Sequence, residues 1–187
     1  MKPTYIRLIL FSVTLIMLKE VGGHYVTTIE HPSNIWWFNV FMPVEYILPA
    51  CVYCYYFMNR WSWLYFTVST MGILWLSLHF YSGTTFNFYT ALASSMCLVP
   101  LALFYFMSLF RNPEMPNVFR EPLFWISTGL LIYHVCHLAA FWAFNMFTAG
   151  NATLARKFGV IVMVLAIINY IFILISFLCR SPRKMPS

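Results

Sequence analysis

Aspartate is absent from this chain, and charge of either sign is scarce. Only 9% of its 187 residues are charged, and all five acids are glutamates: Glu20, Glu30, Glu45, Glu114 and Glu121. A soluble domain carries roughly 25% charge, so a chain this poor in charge cannot coat a water-facing surface. Without aspartate a Ser–His–Asp triad is impossible, and most paired-carboxylate chemistry goes with it. There is no dense basic patch, which removes nucleic acid from the expected partners. The seven glycines are scattered and form no phosphate loop. Neither an H-E-x-x-H pair nor a G-x-S-x-G elbow occurs. The five cysteines, Cys51, Cys54, Cys97, Cys136 and Cys179, are an odd number inside apolar segments, unlike a secreted disulfide framework. Cys51 and Cys54 have C-x-x-C spacing, but no βαβ pattern surrounds them, so they read as small hydrophobes at helical spacing.

What the chain has instead is apolar length. Hydrophobic residues make up 61% and aromatic residues 20%. A bilayer core needs about 20 mostly apolar residues per helix. Six stretches qualify, at about 4–26, 36–58, 62–82, 87–110, 122–147 and 156–179. The expectation is an all-α integral membrane protein, one transmembrane domain over 1–187 built as a bundle of about six helices. The first span is the weakest, since Lys2 and Arg7 precede its apolar run as in a signal peptide. No A-x-A-like cleavage site follows, and "VGGHYV" lets the helix continue, so it reads as an anchor that stays.

Loop charge sets the orientation. With the N-terminus in the cytoplasm, the inner segments hold Lys2, Arg7, Arg60, Arg111, Arg120, Arg180, Arg183 and Lys184, and the outer ones Lys19, Arg156 and Lys157. That bias favours both termini inside, which requires an even number of spans. Trp36, Trp37 and Trp142 then fall near outer ends, and Trp61, Trp63 and Trp125 near inner ends, where amphipathic rings prefer to sit. The expected location is a plasma (inner) membrane, crossed several times. Asn151-Ala152-Thr153 matches a glycosylation sequon, a pattern short enough to arise often by chance. The tail "RSPRKMPS" is a short basic orientation signal.

Polar groups inside a bilayer are expensive, so each is a candidate for function. Counted from the outer ends, Glu45 lies about nine residues into its span and His137 about ten, with His134 about three deeper. Glu20 and His79 lie near outer ends, Asn87 opens the fourth span, and Asn145 closes the fifth. The uncommon polar groups therefore gather in the outer half, as a polar pocket between helices or as groups that pair near the interface. Pro43 and Pro49 lack an N–H, so the carbonyls of Asn39 and Glu45 lose their helical partners, and a kink beside Glu45 is expected.

The segment "LLIYHVCHLAAFW" places His134 and His137 about 60° apart on one helical face. Cys136 points away, so this segment alone cannot supply the three or four ligands that zinc wants. A haem would need facing histidines at matched depth, and His79 is too shallow. The contact expected here is a histidine with Glu45, which would satisfy two buried groups and titrate near neutral pH. No catalytic group, metal or cofactor is assigned.

Three runs carry a resemblance: Asn39, Pro43, Glu45 and Tyr46; Asn87, Phe88 and Tyr89; and Pro122, Phe124, Trp125, Gly129 and Tyr133, with Glu20 near the end of the preceding span. On these, from about residue 5 to 179, the chain resembles a family of small, aromatic-rich bacterial polytopic membrane proteins of uncharacterised activity. Some relatives form the membrane portion ahead of a sensor histidine kinase. Such proteins often carry one more N-terminal span, and no kinase domain is present here, so sensing through an attached kinase is not expected of this chain alone.

The resulting expectation is a receptor-like or accessory membrane subunit whose outer-half pocket takes a small molecule, lipid or proton. Its partners would be the lipid bilayer, a small-molecule ligand, and a membrane protein or second copy. A small transporter or channel is the alternative, and an intramembrane metal or redox enzyme a further one.

Overall fold

The computed structural model describes residues 3–26, 35–57, 59–82, 85–111, 117–147 and 152–179, with side chains for all of these except 3–7, 9, 141–147, 152–156, 158 and 159. Six long helices follow one another: α1 (Pro3–Tyr25), α2 (Ile35–Phe57), α3 (Arg60–His79), α4 (Phe88–Phe110), α5 (Pro122–Phe147) and α6 (Ala152–Leu178). A short 3₁₀ helix, Val118–Arg120, precedes α5. No strand occurs among the described residues. The six expected segments are all helical, and α1 runs unbroken through Gly22-Gly23. The glycosylation sequon's Asn151 and the basic tail fall outside the described residues.

Local chemistry explains the helix boundaries. Asn59, extended at φ −110° and ψ 159°, caps α3 by accepting from the Ser62 N–H at 2.8 Å. Asn117 does the same for the 3₁₀ helix, accepting from Phe119 N–H at 3.1 Å. Pro122 is the first residue of α5, where its missing N–H costs nothing. Helix α2 continues past both Pro43 and Pro49. Its 23 residues span about 35 Å, enough to cross a hydrocarbon core of about 30 Å.

Four stretches are long and apolar enough to cross a membrane: Ile35–Phe57, Phe88–Phe110, Pro122–Ala140 and Val160–Leu178. The chain is a membrane protein on this ground. Helix α3 is not in that group, because it dilutes its apolar side chains with Ser, Thr, Trp and Tyr.

Contacts gather into two compact units, Met1–Cys97 and Leu98–Ser187, with the boundary inside α4. In the first unit, α1 and α3 each pack antiparallel against α2. Gly22 and Gly23 lie against Trp37 and Phe38, so close that a Cβ on Gly22 would meet the Trp37 ring. On the other side, Cys54 donates to the Ser62 carbonyl at 3.2 Å, and Tyr46 bonds Ser69 one to two turns further along α3. In the second unit, α5 and α6 pack antiparallel. Trp125 stacks on Phe172 with centroids 5.9 Å apart, and Gly129 meets Asn169 one turn on. The Phe119 carbonyl ties the 3₁₀ helix to both, accepting from Trp125 Nε1 at 2.8 Å and from Cys179 Sγ at 3.4 Å.

Candidate functional site

Two acids of the first unit, Glu20 and Glu45, converge on Lys19. Counted from sequence, Lys19 belongs with the outer-segment cations. It lies within α1, only 7% exposed. Its Nζ pairs with Glu45 Oε1 of α2 and, at 3.1 Å, with Glu20 Oε1. The ammonium also sits 5.0 Å from the Phe38 ring centroid, within cation–π range. Trp37 Nε1 donates to the Lys19 carbonyl at 2.8 Å, so the neighbour that fills the Gly22–Gly23 notch also fixes the backbone beneath the charge. Glycine is needed at 22 because any Cβ would be 2.3 Å from that ring.

Glu20 and Glu45 thus share one cation, a meeting that sequence alone left open. Counted formally, two carboxylates and one ammonium leave a single negative charge. Glu45 is about one-third exposed and Glu20 nearly half. Beside them runs an apolar cleft between α1 and α2, lined by Leu15, Ile16, Phe41, Val44, Leu48 and Pro49 together with Lys19 and Glu45. Its water-accessible space is about 20 Å³, room for one water at about 10–15 Å³ each. Pro49 lines this cleft and, lacking an N–H, leaves the Glu45 carbonyl without its helical partner.

Asn87 belongs to a second polar knot in the same unit. Its side chain accepts from Thr90 N–H at 3.1 Å, as an N-cap does for α4. Its own N–H donates to Asn39 Oδ1 at 2.9 Å, and Asn39 Nδ2 donates to the carbonyls of Ser82 and Thr85, both at 2.8 Å. Asn39, 1% exposed, therefore ties α2 to the α3–α4 connection. His79 is exposed near the end of α3, stacked on Trp75 at 4.9 Å.

The histidines lie in the second unit. His134 and His137 are each 8% exposed on one face of α5, and Cys136 is exposed, as helical geometry requires. Tyr133 stacks on His137 at 4.9 Å and meets His134 edge-on at 5.1 Å. The Asn145 side chain lies outside the described ones. The candidate residues are thus shared between the units: Glu20, Glu45, His79 and Asn87 in the first, His134, His137 and Asn145 in the second. Glu45 takes its cation, Lys19, from its own unit.

Among the described residues, no three His, Cys or acidic side chains converge as metal ligands. All five cysteines are free thiols, and Cys54 is buried. Sequence reasoning passed over Lys19. The signal was present: a cation beside an acid, three residues before a glycine pair, inside a mostly apolar helix. Compared with known protein families, curated proteins and solved structures, the chain matches none.

Proposed function

We propose that this chain is a six-span plasma-membrane protein with both termini in the cytoplasm. In this reading it acts as a receptor-like or accessory subunit that takes a small molecule, lipid or proton at the Lys19–Glu45 cleft. The buried Lys19 between two carboxylates carries this reading. A charge held at bilayer depth is costly and in membrane proteins marks a functional position by default. A net negative cluster at the edge of a cleft with room for one water suits a proton, or the cationic group of a ligand whose apolar body stays in the lipid.

The six-span count has two supports. Helix α3 is about 30 Å long and lies antiparallel along α2, itself apolar enough to cross. Its Trp61, Val68, Met71, Trp75 and Leu78 are exposed, an apolar surface that lipid would cover at no cost. Helix α1 likewise runs antiparallel to α2 through the Gly22–Gly23 notch. The receptor-like reading is preferred over a channel, because Asn169, which a polar path through the inner half would use, is packed against Gly129. The resemblance to small bacterial membrane proteins, some joined to sensor kinases, accords with a receptor-like role.

The test uses hydrophilic thiol reagents applied from outside to single cysteines at Val44 and Leu48, in intact cells. Labelling that a co-purifying small molecule blocks is the expected result. Protection at both positions, with no molecule found by native mass spectrometry, would overturn the reading.

A further inference from the structure

Three times at one end of the second unit, a strongly exposed apolar side chain leads into an arginine. Phe110, 78% exposed, closes α4 and precedes Arg111. Phe119, 64% exposed, lies in the 3₁₀ turn and precedes Arg120. Leu178, 82% exposed, closes α6, and after Cys179 comes Arg180. Arg111 and Arg120 are themselves exposed.

Ring contacts and one thiol bring these positions to a common end. Phe110 stacks on Phe106 at 6.5 Å, and Phe106 meets Phe124 of α5 edge-on at 5.6 Å. Phe124 in turn meets Phe119 at 5.5 Å. The bond from Cys179 Sγ to the Phe119 carbonyl adds the end of α6. The helices that meet here include the stretches Phe88–Phe110, Pro122–Ala140 and Val160–Leu178, each long and apolar enough to cross a membrane. This end is therefore where three spans leave the hydrocarbon. The 3₁₀ turn is also held firmly. Its Phe119 carbonyl accepts from both Trp125 and Cys179, and Asn117 caps its start.

Charge at this end is positive on the surface. Glu121, beside Arg120, is only 8% exposed, whereas both arginines face outward. Among the described residues neither guanidinium is paired with a carboxylate. The sequence running on from Cys179 adds Arg180, Arg183 and Lys184, and the connection after α4 adds Glu114. Five cations against two acids leave an excess of three positive charges. Phosphate is the anion that a bilayer holds at this depth, and a guanidinium matches its oxygens bidentately. An acidic protein could meet the charge but would leave the apolar side chains uncovered. A phospholipid meets both, with its headgroup on the arginines and its chains on Phe110, Phe119 and Leu178.

We propose that this end of the second unit is a docking surface for anionic phospholipid, with Arg111 and Arg120 receiving the phosphodiester. A zwitterionic lipid carries the same phosphate and a cation besides, which the positive excess repels. The proposal concerns the second unit alone and does not rest on the Lys19–Glu45 cleft.

The experiment is native mass spectrometry of the purified chain, titrated with phosphatidylglycerol and with phosphatidylcholine of the same acyl chains. Phosphatidylglycerol should bind more tightly, and rising salt should weaken it far more than phosphatidylcholine. That comparison needs no variant. Replacing Arg111→Gln and Arg120→Gln should lower the affinity for phosphatidylglycerol about fivefold per arginine and leave phosphatidylcholine unchanged. Equal affinity for the two lipids in the parent chain, or undiminished phosphatidylglycerol binding in the double variant, overturns the proposal. Displacement of the lipid by equimolar glycerol phosphate or by a soluble polyglutamate peptide also overturns it, since the arginines would then serve a soluble anion.

Discussion

Gly129 and Gly72 both lie inside helices, and the same substitution should act oppositely at the two. A Cβ at 129 would lie 2.8 Å from Asn169 Oδ1 and 2.8 Å from Phe172 Cβ. Ordinary contact begins near 3.4 Å, so each neighbour would have to retreat by 0.6 Å (3.4 − 2.8). Phe172 Cβ is fixed to the α6 backbone, so α5 and α6 would have to separate. Overpacking of this kind costs about 1–3 kcal/mol. At Gly72 nothing lies within 4 Å, and alanine gains about 0.8–1 kcal/mol of helix propensity. That gain applies at both sites and cancels in their difference. The gap between Gly129→Ala and Gly72→Ala should therefore be about 1–3 kcal/mol, or about 2–12 °C in Tm at 2–4 °C per kcal/mol for a chain this long. Thermal unfolding in one detergent, with both variants beside the parent, measures it. Equal shifts for the two variants would refute the close approach of α5 and α6 at Gly129.

Three further outcomes follow from named contacts. Glu45→Gln should cost about 1–2 kcal/mol, less than the 3–5 typical of a fully buried pair, because Glu45 is one-third exposed and Glu20 remains; Lys19→Met with Glu45→Met should recover most of the loss, and a double variant as unstable as the worse single one would refute the pairing. Asn39→Leu removes three hydrogen bonds around a buried Asn87 N–H and should cost about 2–3 kcal/mol by denaturant titration; a neutral result would sink the tie between α2 and the α3–α4 connection. A membrane-permeant maleimide should modify Cys136 well before Cys54, which is buried and bonded to Ser62 O; the reverse order, read by peptide mass spectrometry, would contradict the assigned face of α5.

Sequence by itself determined the membrane character, the six helices and their ends to within a few residues, because these depend on local properties: apolar length, prolines at helix starts, and capping asparagines. It also determined that His134 and His137 share a face and Cys136 does not, since helical rotation needs no tertiary information. What each polar group meets was decided only by tertiary structure. Lys19 and Glu45 are 26 residues apart and Asn39 and Asn87 are 48. No local pattern encodes which helix faces which, nor that Gly22 opens a notch for Trp37 and thereby draws Lys19 toward an acid on α2. In an apolar chain every helix can pack against every other, so the rare polar contacts and the close glycine approaches select the pairing, and these are long-range by nature.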